Sequence, residues 1–182
     1  MPGMTRFLRA LPRPALLTLA AALSVACTPQ LDWRDLKPEG LKLSVSMPCR
    51  PAGQQRALEL AGAHADLSMF SCAEQEMMFG VGGADVGDPG RVGTALDSLV
   101  SAMAANLQGR IEHDDAAGVL GMTPHPRARR LRIVGQRPGG VAVIAEMAVF
   151  SFGSRVYQAV LLGERIDAES ARMFFESLKV AA

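Results

Sequence analysis

Two neighbouring apolar segments, residues 141–152 and 155–162, constrain the fold of this chain most. They are separated by Gly153-Ser154, a glycine-first pair that suits a two-residue hairpin turn. In that register Phe150 faces Tyr157 across the two strands. Side chains alternate between the faces of a strand, and here both faces are largely apolar. The hairpin therefore predicts a sheet that is covered on both sides.

Two helices are marked by their ends and by the spacing of apolar residues. Asp88 can cap the first helix, Pro89 suits its first turn, and Gly109 can end it. Asp167 can cap the second helix, which closes the chain. The apolar stripes are Val92, Leu96, Leu99, Val100, Met103 and Leu107 in the first helix, and Ala171, Phe174, Phe175 and Leu178 in the second.

Shorter patterns predict the remaining strands, and a turn at residues 62–65 joins two of them. The order of strands and helices predicts an α+β fold, an antiparallel sheet of about six or seven strands flanked by helices and preceded by a signal-peptide helix. Apart from the hairpin, the predicted strands are residues 41–47, 57–61, 66–73, 76–81 and 128–135.

The first 27 residues have the pattern of an export signal. Three arginines and no acidic residue precede a short apolar run that ends at Ser24-Val25-Ala26-Cys27. The run from 15 to 26 is about a dozen residues long, whereas a membrane-crossing helix needs roughly 20. Two alternatives to lipidation stay open, an uncleaved segment that anchors the chain in the inner membrane and a signal for a soluble periplasmic protein.

The end of this signal, Leu23-Ser24-Val25-Ala26-Cys27, resembles a bacterial lipobox. In lipoproteins the cysteine sulfur receives a diacylglycerol and the chain is cut before it, which implies lipidation of Cys27. Thr28 follows, where inner-membrane lipoproteins usually have Asp, so the resemblance implies an outer-membrane address. The predicted organisation is a signal peptide at 1–26, a lipidated N-terminus and tether at 27–32, and a single α+β domain at 33–182.

The cysteines and the charge balance narrow the function further. With Cys27 assigned to lipid, Cys49 and Cys72 remain as a pair in an oxidising compartment, which predicts a disulfide; the alternative is two buried free thiols. Removing residues 1–26 leaves 16 basic and 18 acidic residues, a net charge of −2. A near-neutral domain has no bulk electrostatic reason to bind nucleic acid.

The layout resembles the PsbP-like α/β/α sandwich of a photosystem II extrinsic subunit and a Ran-binding nuclear import factor. Uncharacterised proteobacterial lipoproteins share this fold. Three segments carry the resemblance: Leu43-Ser-Val-Ser-Met-Pro48, Ser154-Arg-Val-Tyr-Gln158 and Ala171-Arg-Met-Phe-Phe-Glu-Ser-Leu178. It covers roughly residues 33–180 and implies the sandwich fold without implying one function.

No segment carries a complete catalytic, cofactor or metal motif. Residues 80–88 are glycine-rich but lack the lysine and hydroxyl of a phosphate-binding loop, which predicts a flexible connection. His113-Asp114-Asp115 offers metal-ligand side chains, yet neighbours on an extended chain point to opposite sides, which favours a polar surface turn. No Gly-x-Ser-x-Gly nucleophile elbow occurs. We therefore predict no catalytic residues, no cofactor and no metal ligands.

Charged residues near the apolar hairpin are the remaining candidates for binding. Arg130 and Arg132 share one face of a predicted strand and form a possible patch for an anionic partner; a solvated strand face is the alternative. Glu146 lies within the apolar hairpin and, if buried, needs a partner such as an arginine.

These observations predict a lipid-anchored envelope protein that faces the periplasm and acts as a binding or scaffolding module of unknown partner, with an envelope protein as a possible partner. The alternatives are a periplasmic small-ligand carrier and an enzyme whose residues assemble only in three dimensions.

Overall fold

Residues 31–181 are described by a computed structural model, and the predicted signal peptide and Cys27 lie outside them. Two helices pack with ten strands in this part of the chain. The helices are α1 (Val92–Asn106), which follows a 3-10 turn, and α2 (Ala168–Glu176). The strands are β1 (Arg34–Leu36), β2 (Leu43–Met47), β3 (Ala52–Leu60), β4 (Ala63–Glu74), β5 (Met77–Asp85), β6 (Arg110–Ala116), β7 (Arg129–Gln136), β8 (Ala142–Phe152), β9 (Arg155–Gly163) and β10 (Lys179–Val180).

Seven of the strands form one antiparallel sheet with the order β3-β4-β5-β9-β8-β7-β6. The predicted hairpin of β8 and β9 lies inside this sheet, and Gly153 and Ser154 form its turn. Phe150 pairs with Tyr157 as predicted, and their rings stack with centroids 5.3 Å apart. The predicted antiparallel sheet flanked by helices is therefore confirmed.

A separate core lies on each face of this sheet. Val143, Ala145 and Met147 of β8 pack on the face that α1 covers. Ala148 and Phe150 of the same strand pack on the opposite face. That second face is covered by α2 and by a small antiparallel sheet with the order β1-β2-β10. The prediction of a sheet with two covered sides is confirmed, because alternate side chains of one strand enter different cores.

The predicted cap of α2 is present, whereas Asp88 caps a 3-10 turn that precedes α1 and the N-cap of α1 itself is Arg91, without a side-chain cap bond. The Asp88 carboxylate accepts a hydrogen bond from the backbone N–H of Gly90, in the 3-10 turn Pro89–Arg91 that leads into α1. The Asp167 carboxylate accepts one from the N–H of Ser170, and this bond lowers the pKa of Asp167. Neither α1 nor α2, the α-helices within residues 31–181, is long and apolar enough to cross a membrane.

The turn of the first hairpin differs from the prediction of residues 62–65. β3 and β4 are joined by Ala61 and Gly62, whose φ angles are 53° and 73°. Two successive residues with positive φ match the twist of a tight two-residue hairpin turn. Because the turn is shorter than predicted, both strands extend further than their apolar pattern indicates. His64 consequently lies in β4, where it pairs with Glu59.

The prediction of a flexible connection at residues 80–88 is wrong for most of that segment. Gly80, Gly82 and Gly83 lie in β5, between β4 and β9. A Cβ atom on Gly83 would lie 2.9 Å from Cδ1 of Tyr157, closer than side-chain carbons approach each other. Glycine is therefore needed at this position because the buried Tyr157 ring occupies the space of a side chain.

The predicted disulfide is present between Cys49 and Cys72, with an S–S distance of 2.09 Å. Cys49 follows β2 of the small sheet, and Cys72 lies in β4 of the large sheet. The bond therefore fixes the loop between β2 and β3 to strand β4.

Replacing Gly83 tests the packing of β5. We expect Gly83→Ala to lower the free energy of unfolding by about 1–3 kcal/mol, because the added methyl overpacks the buried Tyr157 ring. Gly80→Ala is the matched control in the same strand, since its Cβ would have no contact closer than 3.7 Å. Urea unfolding of both variants measures the difference. Equal stabilities of the two variants would contradict this packing.

Removing the disulfide tests its contribution to stability. The bond closes a loop with a sequence separation of 23 residues. A loop of this size corresponds to about 3 kcal/mol of reduced chain entropy in the unfolded state. We expect the Cys49→Ala/Cys72→Ala variant to lose about that much stability in urea unfolding. A reductant should lower the Tm of the native chain and leave the Tm of the variant unchanged. If the reductant does not change the Tm of the native chain, the expectation is contradicted.

Candidate binding groove

Glu146 lies on β8 with its side chain on the face that carries α2. Its cross-strand neighbour on β7 is Arg132, and Arg130 pairs with the next residue on the same face, Ala148. Nη2 of Arg130 lies 2.5 Å from one carboxylate oxygen of Glu146, and Nη1 of Arg132 lies 3.0 Å from the other. The predicted arginine partner of Glu146 is confirmed, and two arginines fill this role.

Arg130 is also held by an aromatic ring of α2. The centre of its guanidinium lies 3.2 Å from the centroid of the Phe175 ring, the distance of a stacked cation–π contact. Burial lowers the pKa of Arg130, and the charge of Glu146 opposes that shift. A guanidinium nevertheless stays charged at physiological pH. Arg130 therefore connects β7, β8 and α2 through one side chain.

Two adjacent surface cavities meet at Arg130, and we name them together the arginine groove. The first has a volume of about 290 Å³ and the second about 220 Å³. Polar side chains line most of the first cavity, and small or apolar residues line most of the second. The first is lined by His113, Asp115, Arg130, Leu131, Arg132 and Glu146. The second is lined by residues 116–119, Arg130, Ala148, Phe175, Glu176 and Leu178.

The predicted anionic-partner patch, Arg130 and Arg132, forms part of this groove. The two guanidiniums do lie on one face, as the strand pattern indicates. Both are already paired with Glu146, and Nε of Arg132 lies 3.9 Å from Glu112. Asp115 adds a further carboxylate to the wall. The groove is therefore not a bare cationic surface, and any recognition there depends on directed hydrogen bonds more than on net charge.

His113-Asp114-Asp115 lies in strand β6, and the predicted polar turn is wrong. Asp114 accepts a hydrogen bond from Arg129 on β7, while His113 and Asp115 line the groove. A bulge between Ile111 and His113 shifts the register of β6. Because every residue of β6 is exposed, no apolar alternation marks this strand in the sequence.

The histidines occupy separate places in the described chain. His64 lies against Glu59 at a hairpin tip, and Nδ1 of His125 accepts the backbone N–H of Arg127. His113 is the histidine that lines the groove. Within residues 31–181, no three His, Cys, Asp or Glu side chains are grouped as metal ligands.

The sequence gives no indication that Phe175 contacts Arg130. Its place at helical spacing assigns it to the apolar stripe of α2, and it does pack at the edge of that core. Only the fold shows that its exposed ring face receives Arg130. An aromatic residue on a half-buried helix edge gives no signal of this contact by itself.

Neutralising Glu146 tests the central ion pair of the groove. We expect Glu146→Gln to lower the free energy of unfolding by about 1–2 kcal/mol, because two half-buried guanidiniums lose their countercharge. Glu169→Gln is the matched control: it also removes an arginine partner, but its side chain is 64% exposed against 18% for Glu146. We expect the control to change stability by less than about 0.5 kcal/mol in urea unfolding. A smaller loss for Glu146→Gln than for the control would contradict the proposed stabilising role of the pair.

Comparison with known proteins adds nothing to the description of this site, which rests on the chain alone. The resemblance to the PsbP-like sandwich stays a prediction, as do the lipid anchor and the compartment. The chain matches no protein-family model, no curated protein and no solved structure.

Proposed function

We propose that this chain is a lipid-anchored protein of the bacterial envelope that binds a protein partner in the arginine groove. Lipid on Cys27 holds it to the outer membrane, residues 28–32 act as a tether, and the domain faces the periplasm. The disulfide between Cys49 and Cys72 supports an oxidising compartment, since such bonds are rare in a reducing cytosol.

The fixed position of Arg130 is the observation that carries the binding role. Its guanidinium is held between the Glu146 carboxylate and the Phe175 ring, and it still lines both cavities of the groove. A guanidinium has five N–H donors, so one contact with Glu146 leaves donors for a further acceptor. A donor that is already positioned loses little side-chain entropy when a partner binds.

The two cavities define the chemistry of a fitting partner segment. Carbonyl or carboxylate oxygens fit the donors of Arg130 and Arg132 in the first cavity. An apolar side chain fits the second cavity, beside Phe175 and Leu178. The partner is therefore a protein segment that presents acceptor oxygens next to an apolar residue.

Membership of the PsbP-like sandwich is part of the same proposal. Its support is the seven-stranded antiparallel sheet with α1 on one face and α2 on the other. Because that fold serves unrelated functions, the binding role rests on the groove and not on the fold.

Site-specific photo-crosslinking in intact envelopes tests the binding role. A photoreactive residue at position 176, on the groove wall, should give a discrete protein adduct. The same residue at position 101, on the exposed face of α1, should give none. Arg130→Lys should reduce the adduct about tenfold, because it removes the planar donor set while keeping the charge. Arg91→Lys, next to α1 and outside the groove lining, is the matched control and should leave the adduct unchanged.

Two results would contradict the binding role. An adduct at position 101 with none at 176 would place the partner elsewhere. Turnover of a substrate by the purified chain, without an adduct at either position, would favour the enzyme alternative.

The anchor has a separate test. Cys27→Ser should abolish labelling of the chain by radioactive fatty acid and prevent cleavage before position 27, because the sulfur is the acylation site. Cys49→Ser should leave labelling intact. Unchanged processing of Cys27→Ser would contradict the lipid anchor.

A further inference from the structure

The three lysines of the chain lie in or directly next to the strands of the small sheet formed by β1, β2 and β10. The chain has 19 basic residues, and the others are arginines. Lys37 directly follows β1, Lys42 directly precedes β2, and Lys179 lies in β10 opposite Ser44. Each of the three side chains is exposed. We name this surface the lysine face.

The arginines of the described chain have a different role. Within residues 31–181, none of the lysines forms an ion pair with a carboxylate, whereas many arginines do. The paired arginines are Arg34, Arg91, Arg110, Arg127, Arg129, Arg130, Arg132, Arg155 and Arg172. Most arginine charge of the described chain is thus balanced within the protein, and the charge of the three lysines is not.

The lysine face has a depression whose lining residues suit phosphate-bearing groups. A depression of about 420 Å³ lies between Lys37 and Lys179, with Ser44 in its wall. The one carboxylate that lines it, Asp35, accepts a hydrogen bond from the hydroxyl of Ser46. The hydroxyl of Ser177 donates to the carbonyl of Phe174, so two ammonium groups and the Ser44 hydroxyl are the donors that face the depression, against a single carboxylate.

The lysine face is also close in sequence to the proposed anchor. β1 begins at Arg34, seven residues after Cys27, and an extended segment of that length spans at most about 25 Å. The tether therefore enters the domain through the same small sheet that carries the lysines. Among the strands of the domain, β1 of the small sheet is therefore the closest to Cys27 along the chain.

We infer that the lysine face docks on the anionic lipid headgroups of the membrane that holds the anchor. This inference rests on the proposed lipid anchor and adds an orientation to it. Lysine suits such a surface because its ammonium is a compact point charge with three donors. Each lysine near an anionic membrane strengthens association by about fivefold. Docking leaves α1, on the opposite face of the seven-stranded sheet, turned away from the lipid.

Lysine acylation of the full lipidated chain in vesicles tests the orientation. Mass spectrometry first confirms the lipid on Cys27, so that loss of the anchor is recognised as failure of the proposed function. The anchored chain is then placed in phosphatidylcholine vesicles or in vesicles with 30% phosphatidylglycerol. Reaction with an amine-specific reagent is followed at Lys37, Lys42 and Lys179. An Arg91→Lys variant supplies a reference lysine beside α1.

We expect the three native lysines to react at least about fivefold more slowly in the anionic vesicles, and the lysine at position 91 to react equally in both. High salt should remove the protection, because the attraction is electrostatic. In Lys37→Gln/Lys179→Gln, the protection of Lys42 should also fall. The charge-matched variant Arg91→Gln/Arg137→Gln should leave it unchanged.

Two outcomes would overturn the inference with the anchor intact. Equal reactivity of the native lysines in both vesicle types would show that the face does not contact lipid. Protection by inorganic phosphate in phosphatidylcholine vesicles, without protection by anionic lipid, would assign the depression to a soluble phosphate ligand.

Discussion

Burial of the β8–β9 hairpin on both faces is the constraint on which the rest of the structure depends. Its side chains alternate between two cores, so neither core can form unless both sides of the sheet are covered. One cover is α1, and the other is α2 together with the small sheet. Fully burying an aromatic side chain such as Phe150 contributes about 1.5–3 kcal/mol, and this contribution depends on the covering layer. The cover on the second face ends at α2, and the arginine groove lies at that boundary.

The arginine groove shows how a polar site is held at the edge of such a core. Glu146 is placed on a central strand by the same alternation that buries Phe150, and it faces the side that α2 leaves partly open. Arg130 and Arg132 satisfy its charge from the next strand. Phe175 then fixes Arg130 from the helix. The groove is preorganised because two other elements, β8 and α2, each restrict the guanidinium that β7 carries.

Features that depend on a local residue pattern can be predicted from this sequence. Features that depend on which residues of distant segments pair with each other cannot. Glycine-first turn chemistry predicts the hairpin at Gly153, and a capping carboxylate predicts the start of α2 at Asp167. A strand at residues 76–81 is predicted, but its extension through Gly83 is not, because the glycine there is required by the sequence-distant ring of Tyr157 and not by its chain neighbours. β6 was missed because all of its residues are exposed and show no apolar period. The groove required the pairing of Arg132 with Glu146, 14 residues apart, which no local pattern encodes.

Amide hydrogen exchange of the anchored chain tests the central claim, that the arginine groove is the surface that meets a partner. Exchange in intact envelopes is compared with exchange of the purified chain in detergent. We expect slower exchange in envelopes at residues 116–119 and at the C-terminal end of α2, which line the groove. Exchange along α1 should stay the same. Protection confined to α1, or equal exchange at the groove in both samples, would contradict the claim.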